Sequence, residues 1–258
     1  MRAVCVCATL GRLKYLPRVL AMFLTQTHKD AHLVIYNEVI PDVTCPIICE
    51  QSLSNVTIIN ALVPIWQDRK PTHRKAYLAV KRMVYSMPDP HEAAFVLWDD
   101  DDVHLPQRVE SLLSGMANNL DAWVVRHDSY IHLGNKGTVR YDRPHPADRA
   151  VDLRAYMTRL GILQYDKHSG YDQHMLKAAR DRSVVIPGCC YGYCFAGINY
   201  HLSCSNDDHI RKAAQADMVQ HMSEGGFFLL EPDFGAASRL VGEVHQAVIN
   251  SHLRSHHE

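Results

Sequence analysis

The chain has 258 residues, 47% hydrophobic and 21% charged, with 27 basic and 28 acidic residues for a formal charge of −1. Those totals describe a globular protein with enough length for one large α/β domain, and they exclude a disordered chain. A near-zero charge gives no electrostatic case for a nucleic acid or an anionic membrane as partner. Seventeen histidines would make the charge clearly positive below about pH 6.

The eight cysteines do not form a disulfide pattern. Cys5 and Cys7 alternate within an apolar run, where cysteine behaves as a small hydrophobe. Cys189, Cys190, Cys194 and Cys204 contain no C-x₂-C pair of the kind that builds zinc sites. The N-terminus shows no basic-then-apolar leader, and no apolar run approaches the ~20 residues needed to span a bilayer. A reduced, cytoplasmic setting is the expectation.

Ala3 to Thr9 reads as a buried strand leading into the turn Thr9-Leu10-Gly11-Arg12. Tyr15, Leu16, Val19, Leu20, Phe23 and Leu24 then recur at helical spacing, predicting a helix that ends near Thr25-Gln26-Thr27. His32 to Tyr36 is a second strand, followed by the polar pair Asn37-Glu38, and Val56 to Ile59 is a third. Pro71 to Ser86 predicts a helix with a basic start at Arg74-Lys75 and Tyr77, Val80 and Val84 on one face, stopped by Met87-Pro88-Asp89-Pro90.

Phe95-Val96-Leu97-Trp98 runs straight into Asp99-Asp100-Asp101-Asp102, and no other acidic block occurs in the chain. The acids therefore stand where a buried strand surfaces, the end of an open α/β sheet at which ligands bind. If the strand stays extended, Asp99 and Asp101 share one side and Asp100 and Asp102 the other. Two carboxylates about 5 Å apart repel by roughly 3 kcal/mol at an effective dielectric near 20. Such a cluster calls for water, protonation or a cation. Hard oxygen ligands suit Mg²⁺ or Mn²⁺ bridging to a diphosphate. The competing reading is a solvated acidic loop.

Pro106 is placed to open the next helix, with Val109, Leu112, Leu113 and Met116 as its buried stripe. Ala122 to Val125 reads as a strand, and Tyr130–Leu133 and Thr138–Tyr141 as a hairpin around Gly134-Asn135-Lys136-Gly137. Beyond it, residues 143–180 are polar and partly helical, around Leu153–Leu160 and Gln173–Ala179. Ser183–Pro187 and Tyr191–Phe195 are short strands, Asp208–Met222 a helix, and Phe227–Leu230 a last strand before a His-rich tail.

This order of motifs resembles the GT-A fold glycosyltransferases, and among them the family 2-like enzymes. Thr9-Leu10-Gly11-Arg12, Gln26-Thr27 and Asp99-Asp100-Asp101-Asp102-Val103-His104-Leu105-Pro106 occupy the places of the family's turn, Gln-Thr pair and Asp-x-Asp-Asp-x-x-x-Pro signature. The resemblance covers residues 3–113. It implies a single α/β domain of GT-A type, Rossmann-like, with a mixed central sheet and helices on both faces. Residues 1–106 would be the nucleotide-sugar-binding half and residues 107–258 the acceptor-binding half.

The resemblance also implies roles. Thr9 and Arg12 would lie near the nucleotide, and Asn37 or Glu38 would replace the family's usual base-binding Asp. Arg74 or Lys75 would face the diphosphate. Asp99 and Asp100 would contact the nucleotide sugar, Asp99 and Asp101 would hold Mn²⁺ or Mg²⁺, and His245 would add a late metal ligand. The general base would be Asp217, with Asp207 and Asp208 as rivals. The activity implied is transfer of a sugar from a nucleoside diphosphate sugar, UDP-sugar favoured, to an acceptor hydroxyl with inversion. Acceptor classes left open are a saccharide, a protein, a small molecule and a modified DNA base. The alternatives are a nucleotidyltransferase, for which Leu10-Gly11-Arg12 is poor in glycine, and a catalytically silent nucleotide-binding module.

Overall fold

The computed structural model describes residues 1–9, 15–42, 44–49, 53–64, 72–85, 87, 92–134, 137–162, 171–195, 228–230, 235, 237–243 and 246. Its centre is strand β1 (Arg2–Thr9), parallel on one side to β2 (Ala31–Val39) and on the other to β5 (Ala93–Leu97). Strand β4 (Val56–Leu62) extends the sheet beyond β2. On the far side β10 (Arg149–Asp152) runs antiparallel between β5 and β7 (Val124–His127), and β11 (Ser183–Ile186) closes the edge parallel to β7. The sheet is thus seven-stranded and mixed, in the order β11-β7-β10-β5-β1-β2-β4.

Both faces of β1 are buried: Ala3, Cys5 and Cys7 point one way and Val4 and Val6 the other. That is why the strand reads as a continuous apolar run rather than an alternating one. Cys5 behaves as the hydrophobe expected, its thiol pushed up to about 12 by burial. Helices α1 (Leu16–Leu24) and α3 (Arg108–Ala117) cover the first face through Leu16, Val19, Leu20 and Phe23 and through Val109, Leu112, Leu113 and Met116. The second face is covered by α2 (Thr72–Val84) through Ala76, Ala79 and Val80. The short helix α4 (Leu153–Ala155), its π-helical continuation Tyr156–Leu160, and α5 (Tyr171–Ala178) complete that layer with Leu153, Tyr156, Leu160 and Met175. This is the expected single mixed α/β domain with helices on both faces.

A smaller sheet packs beside it in the order β6-β12-β8-β9. It is formed by β6 (Val103–His104), β12 (Tyr191–Phe195), β8 (Tyr130–Gly134) and β9 (Gly137–Tyr141). The antiparallel pairing of β8 with β9, Tyr130 opposite Tyr141, is the predicted hairpin. Strands β3 (Ile47–Cys49) and β13 (Phe228–Leu230) form a separate parallel pair.

Several boundaries differ from the sequence expectation. Strand β2 continues through Asn37 and Glu38 to Val39, because both side chains find buried partners and need no turn. Pro106 does not open α3: the helix begins at Arg108 after the N-cap Gln107. The Pro106 carbonyl instead accepts from the Thr27 backbone N–H at 2.9 Å and from the Thr27 hydroxyl at 3.2 Å. Strands β3, β10 and the Val103–His104 strand of the smaller sheet were not expected, each being four residues or fewer and too short for an alternation to show. The expected helix Asp208–Met222 lies outside the described residues.

The Gln26-Thr27 pair has a physical task. The buried Gln26 amide donates to Leu105 O at 2.9 Å and Met22 O at 3.2 Å, while its oxygen accepts from Val109 N, one of the first N–H groups of α3, at 3.2 Å. The end of α1 is thereby stapled to the start of α3. Gln26→Ala leaves the buried Val109 N–H unpaired and takes one of two donors from the Leu105 and Met22 carbonyls, which keep Arg108 N and Thr25 Oγ1, and should lower unfolding stability by about 1–3 kcal/mol, measured by urea denaturation. A loss under about 0.5 kcal/mol, the range of neutral surface changes, would contradict the staple.

Candidate functional site

Strands β1 and β5 run in parallel and end at the same edge, with Val6 opposite Leu97 and the Trp98 N–H donating to Val6 O at 3.0 Å. Strand β5 stops at Leu97, and Asp99 to Asp102 form a bend rather than an extended strand. The expected two-and-two alternation of the acids is therefore corrected: three consecutive carboxylates, Asp100, Asp101 and Asp102, are only 1–3% exposed, and Asp99 is half-buried.

The bend is tied at several points. The Thr9 hydroxyl donates to Asp100 Oδ2 at 2.9 Å, so Thr9 joins β1 to the acidic loop and does not cap α1, whose N-cap is Tyr15. Arg18 Nη2 donates to the Asp100 carbonyl at 3.0 Å. Asp102 accepts from the Tyr191 hydroxyl and, at 2.9 Å, from the Cys194 N–H of β12. Burial, followed by the fields of Asp101 and Asp99, holds the Asp102 carboxyl well above the usual carboxylate range.

Behind the bend stands a buried cationic network. Arg108, the first residue of α3, donates through Nε to Asp148 Oδ1 at 2.9 Å and through Nη1 to Leu97 O at 2.9 Å and His104 Nδ1 at 3.1 Å. Its Nη2 donates to Ala147 O at 3.2 Å. The other Asp148 oxygen pairs with His127 Nδ1 at 2.8 Å. His104 Nε2 lies 3.0 Å from the Asp99 carbonyl. Burial, then the charge of Arg108, keeps His104 well below its ordinary value and so neutral.

His127 Nε2 also lies 3.0 Å from Ser111 Oγ, which gives Ser111, His127 and Asp148 the connectivity of a hydrolytic triad. The electrostatics argue otherwise. Burial opposes charge on His127, but the Asp148 carboxylate outweighs it and raises the imidazole to about 9. An imidazolium at neutral pH cannot take a proton from serine. Ser111, His127 and Asp148 therefore read as a structural ion pair with a hydroxyl attached.

The residues expected to contact a nucleotide divide. Lys75 is fully buried and paired with Glu38 at 2.9 Å, with its Nζ 3.5 Å from the Thr9 carbonyl. Thr9, Glu38, Lys75 and the acidic bend thus share one edge. Asn37 is buried and donates to Cys45 O at 2.9 Å and Asn60 Oδ1 at 3.0 Å, knotting β2 to its neighbours. Arg74 is exposed, its guanidinium 5.4 Å from the Tyr77 ring centroid. Arg12, Asp207, Asp208, Asp217 and His245 lie outside the described residues.

Among the described residues no three His, Cys, Asp or Glu side chains stand together as a ready metal cage. The donor chemistry at the bend still fits a hard cation. Mg²⁺-like ions take one or two carboxylates and complete their shell with water and substrate phosphates. The sequence reading missed Arg108, His104, Asp148, Tyr191 and Arg18. A signal was available for two of them, since His104 and Arg108 are polar residues four apart, interleaved with the apolar Val103, Leu105 and Val109 that follow the acids.

No family model matches the sequence, and no curated protein matches it. Among solved structures, S. aureus TarS superposes over 86% of this chain and 44% of its own, at 11% identity and a TM-score of 0.52. Residues 1–349 of TarS in complex with UDP-GlcNAc cover 96% of this chain and 72% of that one, at 10% identity and a TM-score of 0.53. The fold is GT-A. A 4-diphosphocytidyl-2C-methyl-D-erythritol synthase structure is a weaker likeness, with a TM-score of 0.45 and 9% identity over 85% of this chain and 98% of that one. The chain spans less than half the length of the longer TarS structure. In this GT-A fold the acidic bend stands at the carboxyl edge of β1 and β5, where open α/β sheets take their ligands.

The His127–Asp148 pair makes stability depend on pH. With His127 raised from 6.5 to about 9 and Asp148 lowered from 3.8 to about 2, the pair contributes fully between about pH 4 and 6.5. The His127 part is lost as pH rises through about 9, and the Asp148 part as pH falls through about 2. Melting temperature should therefore fall between pH 6.5 and 9.5, by the equivalent of on the order of 2–3 kcal/mol. His127→Gln should flatten that slope; an unchanged slope in the variant would assign the effect elsewhere.

Proposed function

We propose that this chain is a metal-dependent glycosyltransferase that moves a sugar from a nucleoside diphosphate sugar to an acceptor hydroxyl with inversion. The observation that carries the reading is the acidic bend of Asp99 to Asp102 at the carboxyl edge of β1 and β5 in a GT-A fold, bonded to Thr9. A UDP-sugar is the favoured donor, in keeping with the UDP-GlcNAc held by TarS.

Asp99 and Asp101 are the residues that would hold Mn²⁺ or Mg²⁺, with His245 as a further ligand. A cation bound there would act as a Lewis acid for the departing diphosphate. The chain's own residues do the rest. Thr9 holds Asp100 at the donor edge, Arg12 with Arg74 or Lys75 would bring positive charge to the diphosphate side, and Asn37 or Glu38 would face the base. Asp217 is the proposed general base, with Asp207 and Asp208 as the other carboxylates that could take the acceptor proton. A single carboxylate on the face opposite the leaving group leads to in-line attack and inversion. A cytoplasmic setting goes with this reading.

Calorimetric titration with UDP, GDP, CDP and dTDP, each with and without Mn²⁺, tests it. One diphosphate should bind with a metal-dependent gain, and absence of binding by all four would overturn the proposal. Asp101→Ala should remove that gain, by about 100-fold or more, while the melting temperature stays the same or rises, since a member of a repelling buried cluster is deleted. Asp217→Asn should retain donor binding and lose transfer by at least about 100-fold. Normal turnover in that variant would pass the base role to Asp207 or Asp208.

A further inference from the structure

The acidic bend must be held against its own repulsion, and one of its ties has a fixed direction. A guanidinium has only donors, so the 3.1 Å contact between Arg108 Nη1 and His104 Nδ1 requires a lone pair on Nδ1. The neutral ring then carries its hydrogen on Nε2. That hydrogen points at the Asp99 carbonyl, 3.0 Å away. The ring itself is clamped, with its centroid 4.0 Å from that of Trp98 and 5.8 Å from that of Tyr191. Its backbone is fixed by pairing of β6 with β12, His104 opposite Tyr191.

Arg108 is in turn held by Asp148, Leu97 O and Ala147 O. The first residue of α3 thus reaches back to the last residue of β5 and, through His104, to the first acid of the bend. A hydrogen bond to the Asp99 carbonyl sets the peptide plane between Asp99 and Asp100, and with it the directions in which both side chains leave the backbone.

We propose that His104, locked by Arg108 as the Nε2–H tautomer, is a positioning residue that orients the acidic bend for the donor and its cation. The inference rests on the glycosyltransferase reading of the bend, and it assigns to the Arg108–His104–Asp99 relay a role apart from bulk stability. His104 touches no reacting atom. Its effect passes through the Asp99 backbone.

The test uses the full chain, with His104→Phe and His104→Gln. Phenylalanine keeps the ring between Trp98 and Tyr191 but offers no hydrogen. Glutamine keeps a donor at the Nε2 position. In His104→Phe, amide exchange of residues 99–103 should rise about tenfold, and the Mn²⁺-dependent gain in UDP affinity should fall about tenfold, the equivalent of one lost buried hydrogen bond. Protection of β1 and β5 should not change. His104→Gln should restore both readouts. In the unaltered protein, ¹⁵N-histidine spectra at pH 7 should show His104 protonated on Nε2 alone.

An Nδ1–H tautomer, or bend exchange in His104→Phe equal to that of the unaltered protein, would overturn the proposal. If the unaltered protein binds no nucleoside diphosphate, the glycosyltransferase reading fails, and the exchange and tautomer measurements still decide whether His104 holds the bend.

Discussion

Buried negative charge at the end of β5 is the constraint around which this molecule is arranged. Asp100, Asp101 and Asp102 lie almost wholly out of water within three residues of one another. Taking a carboxylate out of water costs several kcal/mol even after relaxation, and neighbouring like charges add to that. The fold answers with specific donors for two of the acids: a hydroxyl from β1 for Asp100, and a phenol and a backbone N–H from β12 for Asp102. Cations from three helices surround the edge without pairing with these carboxylates: Arg18 of α1 donates to the Asp100 carbonyl, Lys75 of α2 pairs with Glu38, and Arg108 of α3 donates to the Leu97 carbonyl. An arrangement of this cost at a sheet edge is what the proposed site rests on.

The same ties fix the relation between the two sheets. Tyr191 and Cys194 belong to β12, at the centre of the smaller sheet, and both reach Asp102. His104, in β6, pairs with Tyr191 and contacts the Asp99 carbonyl. The smaller sheet is therefore registered to the acidic bend through polar contacts, and its aromatic face continues outward. His145 lies over Tyr191 and Tyr193 at centroid distances of 5.1 and 4.5 Å, and Tyr130 stacks on Tyr141 at 5.3 Å. A displacement of β12 would be felt at Asp102 without any intervening loop to absorb it.

The legible parts of the sequence were those in which one signal decides. The stripes of α1 and α3, the apolar runs of β1 and β5, and the hairpin of β8 and β9 follow from periodicity or turn chemistry, and they stand where expected. The resemblance carried the GT-A topology further than periodicity could, because a parallel order such as β5-β1-β2-β4 leaves no local trace. Illegible were features that depend on a distant partner. Asn37 and Glu38 look like turn residues in one dimension, and only Asn60 and Lys75 make them strand residues. Arg149 and Arg126, opposed across β10 and β7, are poor strand signals that the sheet nevertheless accepts. The spacing of Arg108 from His104 can mark it in the sequence, but not what it binds. Its four partners come from β5, β6 and the segment before β10, which no window of sequence could join.

The His127–Asp148–Arg108 cluster shows how a constellation can resemble catalysis and serve architecture. Connectivity alone would class Ser111, His127 and Asp148 with hydrolytic triads. The deciding quantity is proton affinity: a carboxylate shared with a guanidinium and shielded from water keeps the imidazole charged up to about pH 9. A charged His127 is then the second cation on Asp148, and Asp148 is what orients Arg108 Nε. The cluster thus belongs to the support of the acidic bend, two bonds removed from it, since Arg108 passes the orientation on to Leu97 O and His104. A buried ion pair of this kind contributes little net stability compared with an apolar packing of equal volume. What it supplies here is direction. An apolar core at this place could fill the space behind β5 but could not decide which nitrogen of His104 carries the hydrogen that meets Asp99.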